Sequence, residues 1–279
     1  MDNKEVVGLL NKDIENEHAA IIQYLVHAYG MGEGEMACEI EAIAREEMRH
    51  LDWLSETVVA LGGVPSLVRG MMRMGGQTVS EWMGNDILAE EDAIKLYREH
   101  ISAIDDLKIK RLLRRILSDE ESHHGVFQHF VDKARREGAR DLRGSRDDEV
   151  SRTLNLSIEH EYTVILQYML QSYLTKNLKA KVELKDQAIN EMQHLGWLSE
   201  EMVGGGGTPR LEHSEVDRST ETDDMLKADI KIEEEVATEY DRIAGTLEDD
   251  GLKKLFLRLR DHEHYHAEVF KDLLQGDET

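Results

Sequence analysis

The sequence predicts an all-α fold of two tandem four-helix bundles, each with a long crossover between its second and third helices. Apolar residues recur at alternating steps of three and four, which is the spacing of helices that pack in a bundle. The chain also contains an internal repeat: residues 10–24 are similar to residues 154–168, and residues 47–56 are similar to residues 191–200. A repeat of this length indicates a duplicated domain rather than a solenoid.

Four helices are predicted in each half. In the first half they span residues 4–29, 35–61, 79–104 and 107–136. Short turns join the first pair and the last pair, which makes the members of each pair antiparallel neighbours. The Gly- and Met-rich connection from Gly62 to about Thr78 is long enough to run the length of the bundle. The Arg- and Asp-rich segment from Arg135 to Glu149 is the predicted linker between domains of residues 1–138 and 148–279.

Composition limits the classes of function. The formal net charge of −24 argues against nucleic acid or an anionic membrane as a partner and suits a protein that attracts metal cations. The sequence has no apolar N-terminal signal and no run of membrane-spanning length, so no membrane partner is expected. Its single cysteine, Cys38, excludes a disulfide framework within the chain and a four-cysteine metal centre. A cytoplasmic location is the corresponding expectation.

Acidic residues interrupt every predicted core stripe. The third helix, for example, is predicted to bury Met83, Ile87, Glu90, Ile94 and Tyr97, with Ile230 as the counterpart of Ile87. In the second and fourth helices the interruption is a Glu-x-x-His phrase, whose two side chains project from one helix face. Burying a bare carboxylate is too costly unless it is paired, protonated or bound to metal. The predicted metal ligands are Glu17, Glu47, His50, Glu90, Glu120 and His123 in the first half and Glu161, Glu191, His194, Glu233, Glu263 and His266 in the second.

The predicted ligands indicate which metal they would bind. Four carboxylates in each half carry four negative charges, which two divalent ions neutralise. Oxygen-rich ligation with one nitrogen per metal favours iron, or manganese as the alternative, over structural zinc and iron–sulfur centres. A metal-free polar core is the competing interpretation. Two further Glu-x-x-His pairs, Glu15/His18 and Glu121/His124, are not retained by the duplication, so they are predicted to lie at the surface or at most beside the ligands.

The pattern resembles the ferritin-like di-iron carboxylate proteins, and most closely the bacterioferritins. The resemblance is carried by the Glu-Met-x-His phrases, by the LN…NE…IIQY segment of residues 10–24 and by residues 116–123. It implies that Glu17 and Glu90 are terminal ligands, that Glu47 and Glu120 bridge two metals, and that His50 and His123 each cap one metal. The second half would repeat these roles with Glu161, Glu233, Glu191, Glu263, His194 and His266. The chain departs from the family in its tandem fusion and in carrying His262 and His264 where the first copy has Asp119 and Glu121, so the redox tuning of the second site is expected to differ.

The same resemblance suggests roles for two further kinds of residue. Tyr24 and Tyr168, seven residues after Glu17 and Glu161, match a tyrosine that lies close to the metals and can supply an electron; a packed tyrosine with a satisfied hydroxyl is the alternative. Trp53 and Trp197 are interpreted as packing or interface residues.

Haem b is a further cofactor that the resemblance suggests. Met48 and Met192 each follow a bridging glutamate. In bacterioferritins the methionine of this phrase lies at the subunit interface, where two copies hold one haem. The two halves could then pack as an intrachain pseudo-dimer around a haem, within a higher homo-oligomer or alone. Adaptable helix packing is the simpler role for these methionines.

The expected function is therefore oxidation of Fe(II) by dioxygen or peroxide at two dinuclear centres per chain, which is a ferroxidase activity. Iron storage or buffering, with the fused halves replacing a subunit dimer in a shell, is one alternative. A rubrerythrin-like peroxidase that uses a separate electron donor is another, and a purely structural bundle is the last.

Overall fold

The computed structural model describes residues 1–32, 34–137 and 148–276. In these ranges the regular elements are eight α-helices: α1 Asn3–Met31, α2 Glu35–Ala60, α3 Val79–Ala103, α4 Leu107–Glu137, α5 Glu149–Leu174, α6 Leu178–Gly204, α7 Thr222–Thr246 and α8 Asp250–Gly276. Helices α1–α4 form bundle 1 and helices α5–α8 form bundle 2. The prediction of two all-helical four-helix bundles is confirmed.

Two compact units are present, one of Met1–Asp148 with Met202–Pro209 and the other of Glu149–Glu201 with Arg210–Thr279. Both ends of the segment predicted as a linker are helical, because α4 continues to Glu137 and α5 begins at Glu149. The middle of that segment, residues 138–147, lies outside the described residues. Among the described helices, none has the length and apolar character needed to cross a membrane.

The starts of α1 and α3 in bundle 1 follow from capping residues in the sequence. Thr78 precedes α3; its hydroxyl accepts a hydrogen bond from the backbone N–H of Glu81, 3.3 Å away, and the Glu81 carboxylate accepts one from the N–H of Thr78 at 3.0 Å. Asp2 and Glu5 make the same reciprocal pair at the start of α1. Each capping box satisfies backbone donors that the first helical turn leaves without partners.

The long crossover of bundle 1 lies along α1 and is fixed by polar groups of that helix. Asn11 Oδ1 accepts a hydrogen bond from the backbone N–H of Ser66 at 2.9 Å, and Gln23 Oε1 accepts one from the N–H of Arg73 at 2.6 Å. Between them, the N–H of Gly70 donates to the carbonyl of Glu15 at 2.8 Å. These contacts span three turns of α1, so the crossover travels along the bundle as predicted.

Bundle 2 repeats this attachment with the equivalent residues. Asn155 Oδ1 accepts from the N–H of Arg210 at 2.8 Å, and Gln167 Oε1 accepts from the N–H of Asp217 at 2.9 Å. The duplication has therefore preserved side chains that hold the crossover as well as side chains of the core.

One part of the predicted core is wrong. Ile87, Ile94 and Ile230 are only partly buried, whereas Asp86, Ala93 and Asp229 are buried. The buried face of α3 runs through residues 83, 86, 90, 93, 97 and 100, so the two isoleucines lie beside it. Asp86 tolerates this position because it accepts a hydrogen bond from Gln23 Nε2 at 2.7 Å and lies 2.8 Å from His27 Nδ1. Burial nevertheless raises the pKa of Asp86.

Candidate metal centres

All twelve predicted ligands gather into two clusters, one in each bundle. In each cluster two groups of four side chains place one ligand atom each within 4.8 Å of the others. The groups in bundle 1 are Glu17, Glu47, His50, Glu120 and Glu47, Glu90, Glu120, His123; those in bundle 2 are Glu161, Glu191, His194, Glu263 and Glu191, Glu233, Glu263, His266. The two groups of a bundle share two carboxylates, which is the arrangement of a dinuclear site.

The shared carboxylates present their oxygens to both histidines. Glu47 Oε2 lies 2.8 Å from His50 Nδ1, and Glu47 Oε1 lies 2.9 Å from His123 Nδ1. In bundle 2, Glu191 Oε2 lies 2.7 Å from His194 Nδ1 and Glu191 Oε1 lies 2.8 Å from His266 Nδ1. Each of these glutamates can therefore offer one oxygen to each of two adjacent cations.

The clusters are closed to solvent and fit cations. No member is more than 3% exposed. In bundle 1, Glu90 Oε2 makes no hydrogen bond, and Glu47 Oε1 and His123 Nδ1 have only each other as partners, 2.9 Å apart. Leaving buried polar atoms without partners is costly, and a bound cation would satisfy these atoms directly. The donor set of four carboxylates and two imidazoles suits iron or manganese.

Burial and contacts within the cluster of bundle 1 shift the pKa values of its glutamates and histidines. Burial, followed by the charge of Glu47, raises the pKa of Glu17 to about 8. Burial raises the pKa of Glu47 as well, but hydrogen bonds from His123 and His50 outweigh it and lower the pKa to about 2. Burial lowers the pKa of His123, yet the contact with Glu47 raises it to about 9. These shifts favour a negatively charged Glu47 next to a positively charged His123.

The two glutamates of each bundle that belong to only one group accept hydrogen bonds from tyrosines of the opposite helix. Tyr24 of α1 donates a hydrogen bond to Glu90 Oε1 at 2.5 Å, and Tyr97 of α3 donates one to Glu17. In bundle 2, Tyr168 and Tyr240 donate to Glu233 and Glu161 in the same way. Burial and the neighbouring carboxylates raise the pKa of all four hydroxyls well above 10, so they remain donors.

The roles of Tyr97 and Tyr240 were not among the sequence predictions, although the signal was present. Each of them stands seven residues after a terminal glutamate, as Tyr24 and Tyr168 do, so the Glu-x6-Tyr spacing occurs four times. The structure places Tyr24 and Tyr168 next to their centres. Their supply of an electron stays a prediction.

The outer nitrogens of the histidines differ between the bundles. His50 Nε2 lies 3.3 Å from Asp119 Oδ2, and His123 Nε2 lies 2.8 Å from Glu46 Oε2. In bundle 2, His194 Nε2 lies 2.9 Å from His262 Nδ1. Trp53 and Trp197 pack beside these groups, with ring centres 5.9 Å from His50 and 5.6 Å from His194.

The remaining candidates fall outside the ligand clusters. His18 is buried, because it lies four residues after Ile14 and four before Ile22, both of which are buried. Of its two predicted positions this excludes the surface, and a position beside the ligands stays a prediction. Glu121 is exposed and pairs with Arg98 at 2.7 Å, in agreement with the surface prediction. Met48 and Met192 are half-buried, on α2 and α6 respectively. A haem at these methionines stays a prediction.

A cavity of about 90 Å³ reaches the centre of bundle 1 beneath the crossover. Its lining includes Glu17, Tyr24 and Glu120 at the inner end and Met71 and Arg73 of the crossover at the outer end. Its walls also include small side chains of α1 and α3, namely Ala19, Ala20, Ala89 and Ala93. The cavity joins two predicted ligands to the crossover.

The fold and the two clusters define a protein with duplicated four-helix bundles and a carboxylate–histidine cluster in each. The ferritin-like domain family matches the chain twice, over residues 7–137 and 152–279, so the chain belongs to that family as a tandem duplication. Its curated relatives include bacterioferritins. The bacterioferritin of Desulfovibrio desulfuricans is 30% identical over 132 residues, which cover 45% of this chain and 74% of the relative. That of Mycobacterium bovis is 32% identical over 126 residues, covering 43% and 79%.

Solved structures of bacterioferritins are similar to one half of the chain. The Rhodobacter capsulatus bacterioferritin, with a metal-free dinuclear site and haem iron, is 29% identical with a TM-score of 0.46 and covers 50% of this chain and 91% of its own. The Desulfovibrio desulfuricans bacterioferritin, with its diiron site in different catalytic states, is 28% identical with a TM-score of 0.46 and covers 48% and 82%.

Proposed function

We propose that the protein handles iron by binding two Fe(II) ions in each bundle and oxidising them. The observation that carries this proposal is the pair of four-donor groups in each bundle that share two buried carboxylates. In bundle 1, Glu17 with His50 and Glu90 with His123 would each hold one ion, and Glu47 and Glu120 would bridge both. Their counterparts in bundle 2 would act in the same way. The family match and the bacterioferritin relatives support iron as the metal.

The proposed reaction balances with dioxygen as the oxidant: two Fe(II), one O₂ and two protons give two Fe(III) and one H₂O₂. Peroxide could replace dioxygen, since two Fe(II), one H₂O₂ and two protons give two Fe(III) and two water molecules. The protein positions two one-electron donors side by side, so that a two-electron acceptor can be reduced in one place. The bridging carboxylates set the spacing of the donors.

The chain's own residues control charge and geometry in this reaction. The tyrosine hydroxyls hold the terminal carboxylates in place through hydrogen bonds from the opposite helix. Full burial keeps bulk water from competing for the cations. Four carboxylates neutralise two Fe(II) ions but leave two positive charges when both ions are Fe(III). The charge of the Fe(III) product is therefore less completely neutralised than that of the Fe(II) substrate.

Removing one bridging ligand from each bundle tests the proposal. In Glu120→Ala with Glu263→Ala, stopped-flow absorbance after aerobic addition of four Fe(II) per chain should lose the fast phase seen in the unaltered protein. The matched control is Glu121→Ala with Glu268→Ala, which removes exposed glutamates from the same two helices. Unchanged fast oxidation in the first variant, with circular dichroism showing a folded protein, would refute the ferroxidase assignment.

A further inference from the structure

We propose that the two centres of one chain are unequal, and that the centre of bundle 1 binds metal ions more tightly. The inference rests on the proposed function and concerns residues outside the twelve ligands. It follows from the partners of the outward-facing imidazole nitrogens, which are carboxylates in bundle 1 and which the duplication has changed in bundle 2.

In bundle 1 each ligand histidine contacts an acidic residue of the other Glu-x-x-His helix. Asp119 of α4 lies 3.3 Å from His50 Nε2 on α2. Glu46 of α2 lies 2.8 Å from His123 Nε2 on α4. Each acid directly precedes a proposed bridging glutamate in the sequence. The two helices therefore exchange a pair of imidazole–carboxylate contacts around the centre.

In bundle 2 neither acid is retained. The position of Asp119 is taken by His262, whose Nδ1 lies 2.9 Å from His194 Nε2. The position of Glu46 is taken by Asn190, whose side chain donates to Gln187 Oε1 at 3.1 Å. A neutral His262 can accept the proton of His194 Nε2 and so fix the ring with Nδ1 toward the centre. It preserves the orientation of the ligand but supplies no negative charge.

The loss of the two acids has a predictable effect on metal affinity. A carboxylate that accepts the outer N–H of a ligand histidine raises the basicity of the ligating nitrogen, and losing such a partner lowers metal affinity about 10–100-fold. Arg115 lies 3.8 Å from Asp119 and stacks on Trp53, and its counterpart Arg258 stacks on Trp197. Both bundles therefore have this positive charge, and the difference between them is the loss of the acids. Bundle 1 therefore has the stronger ligands.

The same residues also affect the oxidised state. Four ligand carboxylates leave two excess positive charges when both ions are trivalent. In bundle 1, Glu46 and Asp119 supply two further negative charges within contact of the imidazoles, whereas Asn190 and His262 supply none when neutral. The centre of bundle 1 is thus better suited to hold iron after each ion has given one electron to the oxidant. The centre of bundle 2 favours divalent ions.

Anaerobic titration with Co(II), followed by visible absorbance and calorimetry, tests the inference. We expect two classes of two sites each, with dissociation constants that differ about 10–100-fold. Glu191→Ala with Glu263→Ala should leave only the tight class, and Glu47→Ala with Glu120→Ala should leave only the weak class. Four equivalent sites, or a tight class that belongs to bundle 2, would overturn the inference.

Exchanging the outer residues provides the second arm. Asn190→Glu with His262→Asp should tighten the weak class toward the strong one, and Glu46→Asn with Asp119→His should weaken the strong class. Both acids of bundle 1 are partly exposed, with side chains 48% and 33% accessible, so the exchanges leave the core unchanged. Affinities that do not move in either exchange would overturn the inference. Absence of Co(II) binding, or binding that survives loss of the ligands, would instead refute the proposed centres themselves.

Discussion

Protons on the buried imidazoles determine how a metal-free centre responds to pH. Contacts with carboxylates outweigh burial and raise the pKa of His50 well above its usual range and the pKa of His123 to about 9. Both groups must lose a proton before a cation can bind at Nδ1. The stabilisation that protonated His123 gives the metal-free protein is complete below pH 6.5, its ordinary pKa, and is lost as pH rises through about 9. The contribution of His50 persists to higher pH, because its pKa is raised further.

Metal affinity should therefore rise with pH between about 6.5 and 9. Calorimetry of Co(II) binding at pH 7, in two buffers with different ionisation enthalpies, should show release of at least one proton for each histidine ligand. The melting temperature of the metal-free protein should fall relative to that of the loaded protein over the same pH range. Affinity that stays constant across this range, without proton release, would contradict the assignment of the imidazoles.

The roles of Tyr24 and Tyr97 in bundle 1 can be distinguished by matched substitutions. Tyr97→Phe removes the donor to Glu17, and we expect the Co(II) affinity of that bundle to fall about tenfold, since a hydrogen bond to a charged group contributes roughly 1.5 kcal/mol. Tyr24→Phe should have a similar effect through Glu90. If Tyr24 and Tyr168 also supply an electron, a tyrosyl radical seen by electron paramagnetic resonance after aerobic iron addition should persist in Tyr97→Phe with Tyr240→Phe and vanish in Tyr24→Phe with Tyr168→Phe. A radical that persists in the second double variant would rule out that role.

At the level of the helices and their connections, Gly70 allows the crossover of bundle 1 to lie in close contact with α1. A Cβ added at Gly70 would lie 2.7 Å from the carbonyl oxygen of Glu15, whereas one at Gly75 would meet nothing within 4 Å. Gly70→Ala should therefore lower the free energy of unfolding by about 1–3 kcal/mol, and Gly75→Ala should change it by less than about 0.5 kcal/mol. Urea denaturation measures both. Equal effects of the two substitutions would show that close contact with α1 does not fix the crossover.

The helices themselves were largely predictable from the sequence, because apolar periodicity and capping residues are local signals. The buried face of α3 was not predictable in this way. A buried Asp86 looks like a solvent-facing residue until Gln23 and His27 of α1 are known to contact it, and that contact depends on tertiary packing. The burial of His18 was not predicted either, because failure of the duplication to retain a pair says nothing of its burial. The two six-residue clusters could be predicted because the repeat preserves every member in a core stripe.

For the chain as a unit, haem binding is the prediction that depends on both halves at once. Met48 and Met192 occupy equivalent positions next to proposed bridging glutamates and are half-buried. If the halves pack as a pseudo-dimer around one haem, protein purified from haem-supplemented cells should show a Soret band. Met48→Leu should abolish that band, whereas Met83→Leu, which changes a methionine buried in bundle 1, should retain it. Absence of a Soret band under any loading condition would exclude haem and leave packing as the role of these methionines.

The number of iron ions per chain tests the account most directly. Each bundle has a complete set of four carboxylates and two imidazoles, so anaerobic Fe(II) loading followed by desalting and elemental analysis should approach four ions per chain. Glu47→Ala, which removes a proposed bridging ligand from bundle 1 alone, should reduce the number toward two, and the control Glu39→Ala, which changes an exposed glutamate of the same helix, should leave it near four. A value near two in the unaltered protein, or a value that Glu47→Ala does not change, would contradict two dinuclear centres per chain.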